Sequence, residues 1–214
     1  MASADTYVQF GCGFSAPDGW RNFDASPTLR FERLPVIGRM YTRNAARFPL
    51  NAEFGDICKG LPLSSGSCAG VYASHVLEHL SLKDFHLALD ETFRILRGGG
   101  IFRLVVPDLY TIARDYVSAH DNRDTGASLS FMRASHLGHP ARSRGIGGIV
   151  HELLGNSRHL WMWDELSLPE ALQKHGFVGV RRAYLGDSED LAFARVEEPS
   201  RFDHACAMQA VKPS

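Results

Sequence analysis

The sequence has no apolar stretch near the roughly 18 residues that a membrane-spanning helix needs, so neither a span nor a membrane partner is expected. Its first residues, MASADTYVQF, lack the basic flank and apolar centre of a secretory signal, which points to a cytoplasmic protein. No Cys-x-x-Cys pair occurs. The four cysteines, Cys12, Cys58, Cys68 and Cys206, are scattered, indicating neither a disulfide framework nor a cysteine zinc site and leaving reduced thiols. Charge imbalance is missing too: 23 Lys+Arg meet 24 Asp+Glu, a net of -1, and no basic stripe marks nucleic acid as a partner. Repeats, low-complexity tracts and Pro/Ser-rich linkers are likewise absent, so the 214 residues read as one domain, a monomer or homodimer.

What is present is an alternation of short apolar runs and helical periods. Four candidate strands each run into a small or polar residue. Tyr7 to Phe10 ends at Gly11-Cys12-Gly13, Trp20 to Phe23 at Asp24, Ala52 to Gly55 at Asp56, and Gly70 to Ser74 at His75. From Ser81 the period becomes helical, with Leu82, Phe85, Leu89, Phe93 and Leu96 on one face; Ser81 and Asp84 form a capping start, and Gly98-Gly99-Gly100 is the expected helix stop. Ile101 to Val106 reads as a buried strand, and Asp108 caps a helix to about Val117. Loops and short helices are expected from about 118 to 158, then a helix opened by Ser167, Pro169 and Glu170 and ended by Gly176. Val178 to Leu185 and His204 to Val211 read as a final antiparallel strand pair. The fold class is therefore α/β: a Rossmann-like, mostly parallel sheet flanked by helices.

Ligands of such sheets bind beyond the carboxyl ends of the strands, where Gly11, Gly13, Asp24, Asp56, Ser74 and His75 all fall. Glycines there permit close approach of backbone to ligand. A carboxylate after the second strand accepts hydrogen bonds from ribose hydroxyls. Asp56 suits an exocyclic adenine amine, leaving Ile57 to cover the ring, so the set fits an adenosine-containing cofactor. In isolation either aspartate is more commonly a turn-forming or helix-capping residue; its position after successive strands is what favours a ligand role.

The segments VQFGCG (8 to 13), NFDAS (22 to 26), GDICKGLPL (55 to 63), YASHVLEHL (72 to 80), ETFRILRGGGIFRLVVPDL (91 to 109) and DELSLPEALQKHGFVGV (164 to 180) resemble class I methyltransferases, in particular a type 11-like subgroup acting on small molecules and glycans. The resemblance implies S-adenosylmethionine as cofactor. It places Phe10, Gly11, Cys12 and Gly13 at the methionine end, Asp24 and Ala25 at the ribose, Asp56 and Ile57 at the adenine, and Ser74 and His75 beside the transferred methyl. The chain departs from the family pattern at Gln9, where an acid usually stands, at Ala69 and at Gly98. Only 10 residues separate Gly13 from Asp24, so the first crossover helix must be shortened or replaced by a turn around Pro17-Asp18-Gly19.

One methyltransferase-like domain over 1 to 214 is expected, with a lid or substrate insert at about 110 to 165. His75 is a candidate general base, or else a helix-start histidine bonded to backbone. Of Glu78 and His79, one should face the core edge and the other a backbone partner. The insert carries Arg133, His136, His139, Arg142, Arg144, His151, Arg158 and His159, a donor-rich set that suits an anionic or sugar-like acceptor; of these Arg133, His136, His151 and Arg158, with Trp161, are the candidate substrate residues. Trp161 and Trp163 either wall that pocket or pack beneath it. His75, His79, His136, His139 and His151 raise the question of a metal, but without an evident carboxylate or thiolate companion none is expected. The leading expectation is a methyltransferase for a small molecule or glycan precursor. A non-catalytic scaffold of the same fold competes with it, and a nicotinamide enzyme is disfavoured because the glycine motif lacks its third glycine.

Overall fold

A computed structural model describes residues 5–34, 47–138 and 158–214. Seven strands form one sheet in the order β3-β2-β1-β4-β5-β7-β6. They are β1 Thr6–Phe10, β2 Arg21–Asp24, β3 Ala52–Phe54, β4 Cys68–Ser74, β5 Leu96–Pro107, β6 Val178–Arg182 and β7 Ala205–Val211. β1 to β5 pair in parallel, and β7 runs antiparallel between β5 and β6. The expected Rossmann-like sheet and the antiparallel C-terminal pair are both present.

Among the described residues the helices are α1 Pro27–Glu32, α2 Leu82–Ile95, α3 Leu109–Asp121, α4 Ala127–Ala134 and α5 Ser167–Lys174. The strands are apolar on both faces because both faces are covered. Val8, Phe10, Val71, Phe102 and Leu104 pack against Phe85 and Leu89 of α2 and Leu168 and Leu172 of α5. On the opposite face Tyr72 and Val105 meet Trp20, Phe193 and Val196.

No helix forms between β1 and β2, as the short spacing requires. Side-chain amides hold the turn instead. Gln9 Nε2 donates to the Ser15 carbonyl and, at 2.8 Å, to Asn22 Oδ1, while Asn22 Nδ2 donates to the Trp20 and Pro17 carbonyls at 2.9 and 3.2 Å. Gln9 thus replaces the family's usual acid with a residue that fastens the shortened crossover.

Two local expectations change. α2 is capped by Ser81, whose hydroxyl accepts the Asp84 N–H and donates to its carboxylate, but the helix ends at Ile95 rather than at the glycines. Leu96 already pairs with Cys68 in the sheet, and the Gly99 N–H donates to the Lys212 carbonyl; strand pairing overrides the helix cap, and the glycines form an irregular stretch within β5. The buried stripe of α2 is Phe85, Ala88, Leu89, Thr92 and Ile95, so Leu82 lies outside it.

Candidate functional site

A cleft of about 870 Å³ opens at the C-terminal tips of β1 to β4, within the range of roughly 300–1,000 Å³ usual for small-molecule sites. Phe10, Gly11, Asp24, Ala25, Asp56, Ile57 and His75 all line it, so seven of the expected residues meet at one place. Asp24 sits where β2 leaves the sheet. Its Oδ2 accepts the Gly13 N–H at 2.9 Å and its Oδ1 the Ser26 N–H at 2.7 Å, fixing the carboxylate at the mouth of the glycine turn. Asp56 caps the short 3-10 turn Ile57–Lys59: Oδ1 accepts the Cys58 N–H at 3.0 Å, and Oδ2 pairs with Lys59 at 2.6 Å. Both acids are therefore caps and cleft residues at once, since a carboxylate oxygen bound to one donor still accepts a second.

Cys12 and Ser74 line a smaller adjoining space of about 20 Å³ with Gln9, Phe10, Gly11 and Tyr72. The Ser74 and Tyr72 hydroxyls are buried with no hydrogen-bond partner among the described residues. Buried polar atoms are normally satisfied, and a space of about 20 Å³ has room for about one water beside these hydroxyls, whereas the larger cleft with its two acids has room for a nucleoside. Gly13 lines neither space; its N–H orients Asp24. Burial pushes the Cys12 thiol up to about 12, with the Asp24 charge adding to the shift, so this cysteine is no nucleophile.

His75 stands at the end of β4 with a left-handed φ of 53°. Its Nε2 lies 2.8 Å from the Arg201 carbonyl, which fixes a proton on that nitrogen, and its Nδ1 is 3.5 Å from Glu78. The backbone-bonded alternative is the one observed. Burial works against the protonated ring, but the nearby Glu78 carboxylate and the hydrogen bond to the Arg201 carbonyl outweigh it and raise the pKa.

The same histidine also lines a second cavity of about 450 Å³, walled by α3, α4 and the turn at 203 to 204, with His136 and His159. Of the other residues expected at an acceptor pocket, Arg133 is exposed on α4 and away from both cavities, and the Arg158 carbonyl bonds His79. Trp161 is 43% exposed, whereas Trp163 is buried and stacked on Phe85 at 4.1 Å, so packing accounts for Trp163. His139, Arg142, Arg144 and His151 lie outside the described residues.

The sequence did not reveal what surrounds Glu78. This residue lies on the 3-10 turn Leu77–His79 and is 1% exposed, with neither carboxylate oxygen hydrogen-bonded. The imidazoles of His75, His79 and His159 face it at 3.5, 3.8 and 4.0 Å. The loop carrying His159 is fastened there by the Leu160 and Trp161 N–H groups, which donate to the Glu78 carbonyl at 2.7 and 3.2 Å. His159 and Glu78 are about eighty residues apart, beyond any local spacing; the one available sign was the carboxylate-histidine pair in LEHL.

This strand order, with one reversed strand and a nucleoside-sized cleft at the parallel tips, defines the class I methyltransferase fold. The methyltransferase domain family matches residues 34–104, about a third of the chain, and this match supports a class I S-adenosylmethionine-dependent methyltransferase. A comparison with curated proteins gives no match. Among solved structures, a SAM-dependent methyltransferase from Archaeoglobus fulgidus shares the fold at 14% identity and a TM-score of 0.51, over 98% of this chain and 87% of that one. A possible histamine N-methyltransferase from Thermotoga maritima aligns at 16% identity and a TM-score of 0.49, over 99% and 84%. Phosphoethanolamine N-methyltransferase 2 from Haemonchus contortus, in complex with S-adenosyl-L-methionine, aligns at 11% and 0.49; this chain spans 50% of its length. Among the described residues no helix is long and apolar enough to cross a membrane.

Proposed function

We propose that the protein transfers the methyl group of S-adenosylmethionine, bound in the strand-tip cleft, to a small molecule or glycan precursor bound in the second cavity. The observation that carries this reading is the position of His75, which lines both spaces and so marks where donor and acceptor meet. Asp24, oriented by the Gly13 N–H, and Ala25 hold the ribose, Asp56 and Ile57 the adenine, and Phe10 to Cys12 with Ser74 the methionine end. The second cavity presents Thr111, Asp115, Ser130, His136 and Asp203 around Tyr116 and Phe131, a lining suited to a hydroxyl-bearing acceptor.

Transfer is an in-line displacement: the acceptor lone pair forms the new bond to the methyl carbon, the sulfur–carbon bond breaks with its electron pair left on sulfur, and the acceptor releases its proton to water. The sulfonium is already activated, so alignment supplies much of the acceleration. With Nε2 committed to a carbonyl and Nδ1 facing a carboxylate, His75 positions the reacting groups in preference to acting as the general base.

Calorimetric titration with S-adenosylmethionine and its demethylated product tests the proposal. Wild type should bind both. Asp24→Asn and Asp56→Asn should each weaken binding about 10-fold or more, since a hydrogen bond to a charged group contributes roughly 1.5–3 kcal/mol. The scaffold reading draws on Gln9, whose amide is taken up inside the crossover and leaves no acid there for the cofactor ammonium. Wild type that binds neither molecule while folded would favour that scaffold.

A further inference from the structure

We infer that Glu78, His79 and His159 form a binding site for a divalent transition-metal ion of the zinc class, in the partition between the two cavities. The three residues bring one oxygen and two imidazole nitrogens to within 4.8 Å of one another. Tetrahedral coordination at about 2.0–2.1 Å from each donor sets them roughly 3.3–3.4 Å apart. The observed 3.8 and 4.0 Å from Glu78 to the two imidazoles exceed this by about half an ångström, and the widest spacing in the set, up to 4.8 Å, by more, so the three side chains must close around an ion.

Two further features point to a cation. The Glu78 carboxylate is buried with no hydrogen bond among the described residues and has only imidazoles around it, His75 at 3.5 Å being the nearest, an arrangement that leaves room for a cation to satisfy its charge. His79 Nδ1 lies 2.8 Å from the Arg158 carbonyl, and a proton on that nitrogen leaves the Nε2 lone pair directed at Glu78. Metal-bound histidines characteristically have this outer hydrogen bond to a carbonyl.

Two imidazoles with one carboxylate select zinc or its transition-metal neighbours over Mg²⁺ and Ca²⁺, which favour oxygen donors. Three protein ligands leave a fourth position for water. His79 lines the cofactor cleft and His159 the second cavity, so that position is also within reach of an acceptor oxygen, a consequence that rests on the methyltransferase reading; the ion-binding itself does not.

Chelator-stripped protein titrated with Co²⁺ and Zn²⁺ tests the site. One equivalent of Co²⁺ should bind wild type with the visible absorption of a tetrahedral ion, Zn²⁺ should displace it, and excess Mg²⁺ should not. Glu78→Gln and His159→Asn should each lose at least ~10-fold in affinity. His175→Asn, which disrupts the separate His86–His175 contact at 2.8 Å, should bind as wild type does. Wild type that shows no tetrahedral Co²⁺ spectrum overturns the inference even if the ligand variants fail to fold, and so do folded ligand variants that keep the spectrum. Titration of S-adenosylmethionine into the same stripped protein separates the two claims: intact cofactor binding with no Co²⁺ site removes the ion alone, and the reverse removes the methyltransferase reading alone.

Discussion

Gly11 and Gly13 occupy the same turn with nearly the same backbone, yet replacing them with alanine should have very different consequences. Both have left-handed φ values, +64° and +53°, which cost a residue bearing a Cβ roughly 1–2 kcal/mol. At Gly13 that is the whole effect, because a Cβ there meets nothing within 4 Å. At Gly11 the added carbon falls 2.2 Å from Val76 Cγ2 and 2.9 Å from Cγ1, so Val76 must move by more than an ångström. Overpacking of this kind costs typically ~1–3 kcal/mol, bringing Gly11→Ala to about 2–5 kcal/mol. Val76 itself lines the cofactor cleft, so its displacement intrudes on the ligand as well. Urea unfolding of both variants, with S-adenosylmethionine titration of each, should show Gly11→Ala as the more damaging in both assays. Val76→Ala introduced into Gly11→Ala should recover part of the lost stability. Equal losses at the two glycines, or no recovery by the second substitution, would refute this account and return Gly11 to a role in contacting ligand directly.

Other consequences concern the frame behind the site. Arg103 is buried on β5 and donates to Glu197 at 2.8 Å, Asp187 at 2.9 Å, Gln209 at 2.7 Å and the Tyr184 carbonyl at 3.0 Å. Glu197→Gln removes one of the two carboxylates on Arg103 and should lower stability by ~1–3 kcal/mol in denaturant titration; a loss under 1 kcal/mol would mean that the remaining partners suffice. Burial opposes ionisation of Asp187, but the hydrogen bonds from Arg181 and Arg103 prevail and lower its pKa. A depressed carboxylate contributes stability above its unfolded pKa and loses it as pH falls toward the folded value, so thermal stability should decline below about pH 4. Asp187→Asn should flatten that decline, and an unchanged acid limb would count against the assignment.

The parts of the site that could be read from the sequence are those fixed by local pattern. Parallel strands buried on both faces are short apolar runs, and the residue after each run falls at the sheet's ligand-binding edge; Asp24, Asp56 and His75 are found by that rule alone. The shortened crossover was likewise fixed by chain length between Gly13 and Asp24. What escaped depends on partners far along the chain. Gln9 acquires its role from Ser15 and Asn22, which its residue type does not disclose. The glycines at 98 to 100 look like a helix stop until Cys68 and Lys212 compete for the backbone around them. Trp163 became a core residue because Phe85 lies under it, and Arg133 was drawn toward solvent by its place on α4.

The turn after β4 accounts for why donor and acceptor spaces share a wall. β4 is the central strand whose tip must feed the cleft, yet its next helix, α2, starts only at Leu82. The intervening residues spend one 3-10 turn, Leu77–His79, redirecting the chain, and that turn points His75 and His79 into the cofactor cleft while driving Glu78 inward. An inward carboxylate is costly, so it draws imidazoles from elsewhere; the loop bearing His159 is then tied to the turn through the Glu78 carbonyl, and His159 carries the wall of the second cavity with it. The strain of one buried acid thus couples the two spaces. Glu78→Gln should accordingly perturb binding on the acceptor side as well as the cofactor side, whereas Asp56→Asn, remote from this turn, should perturb the cofactor alone.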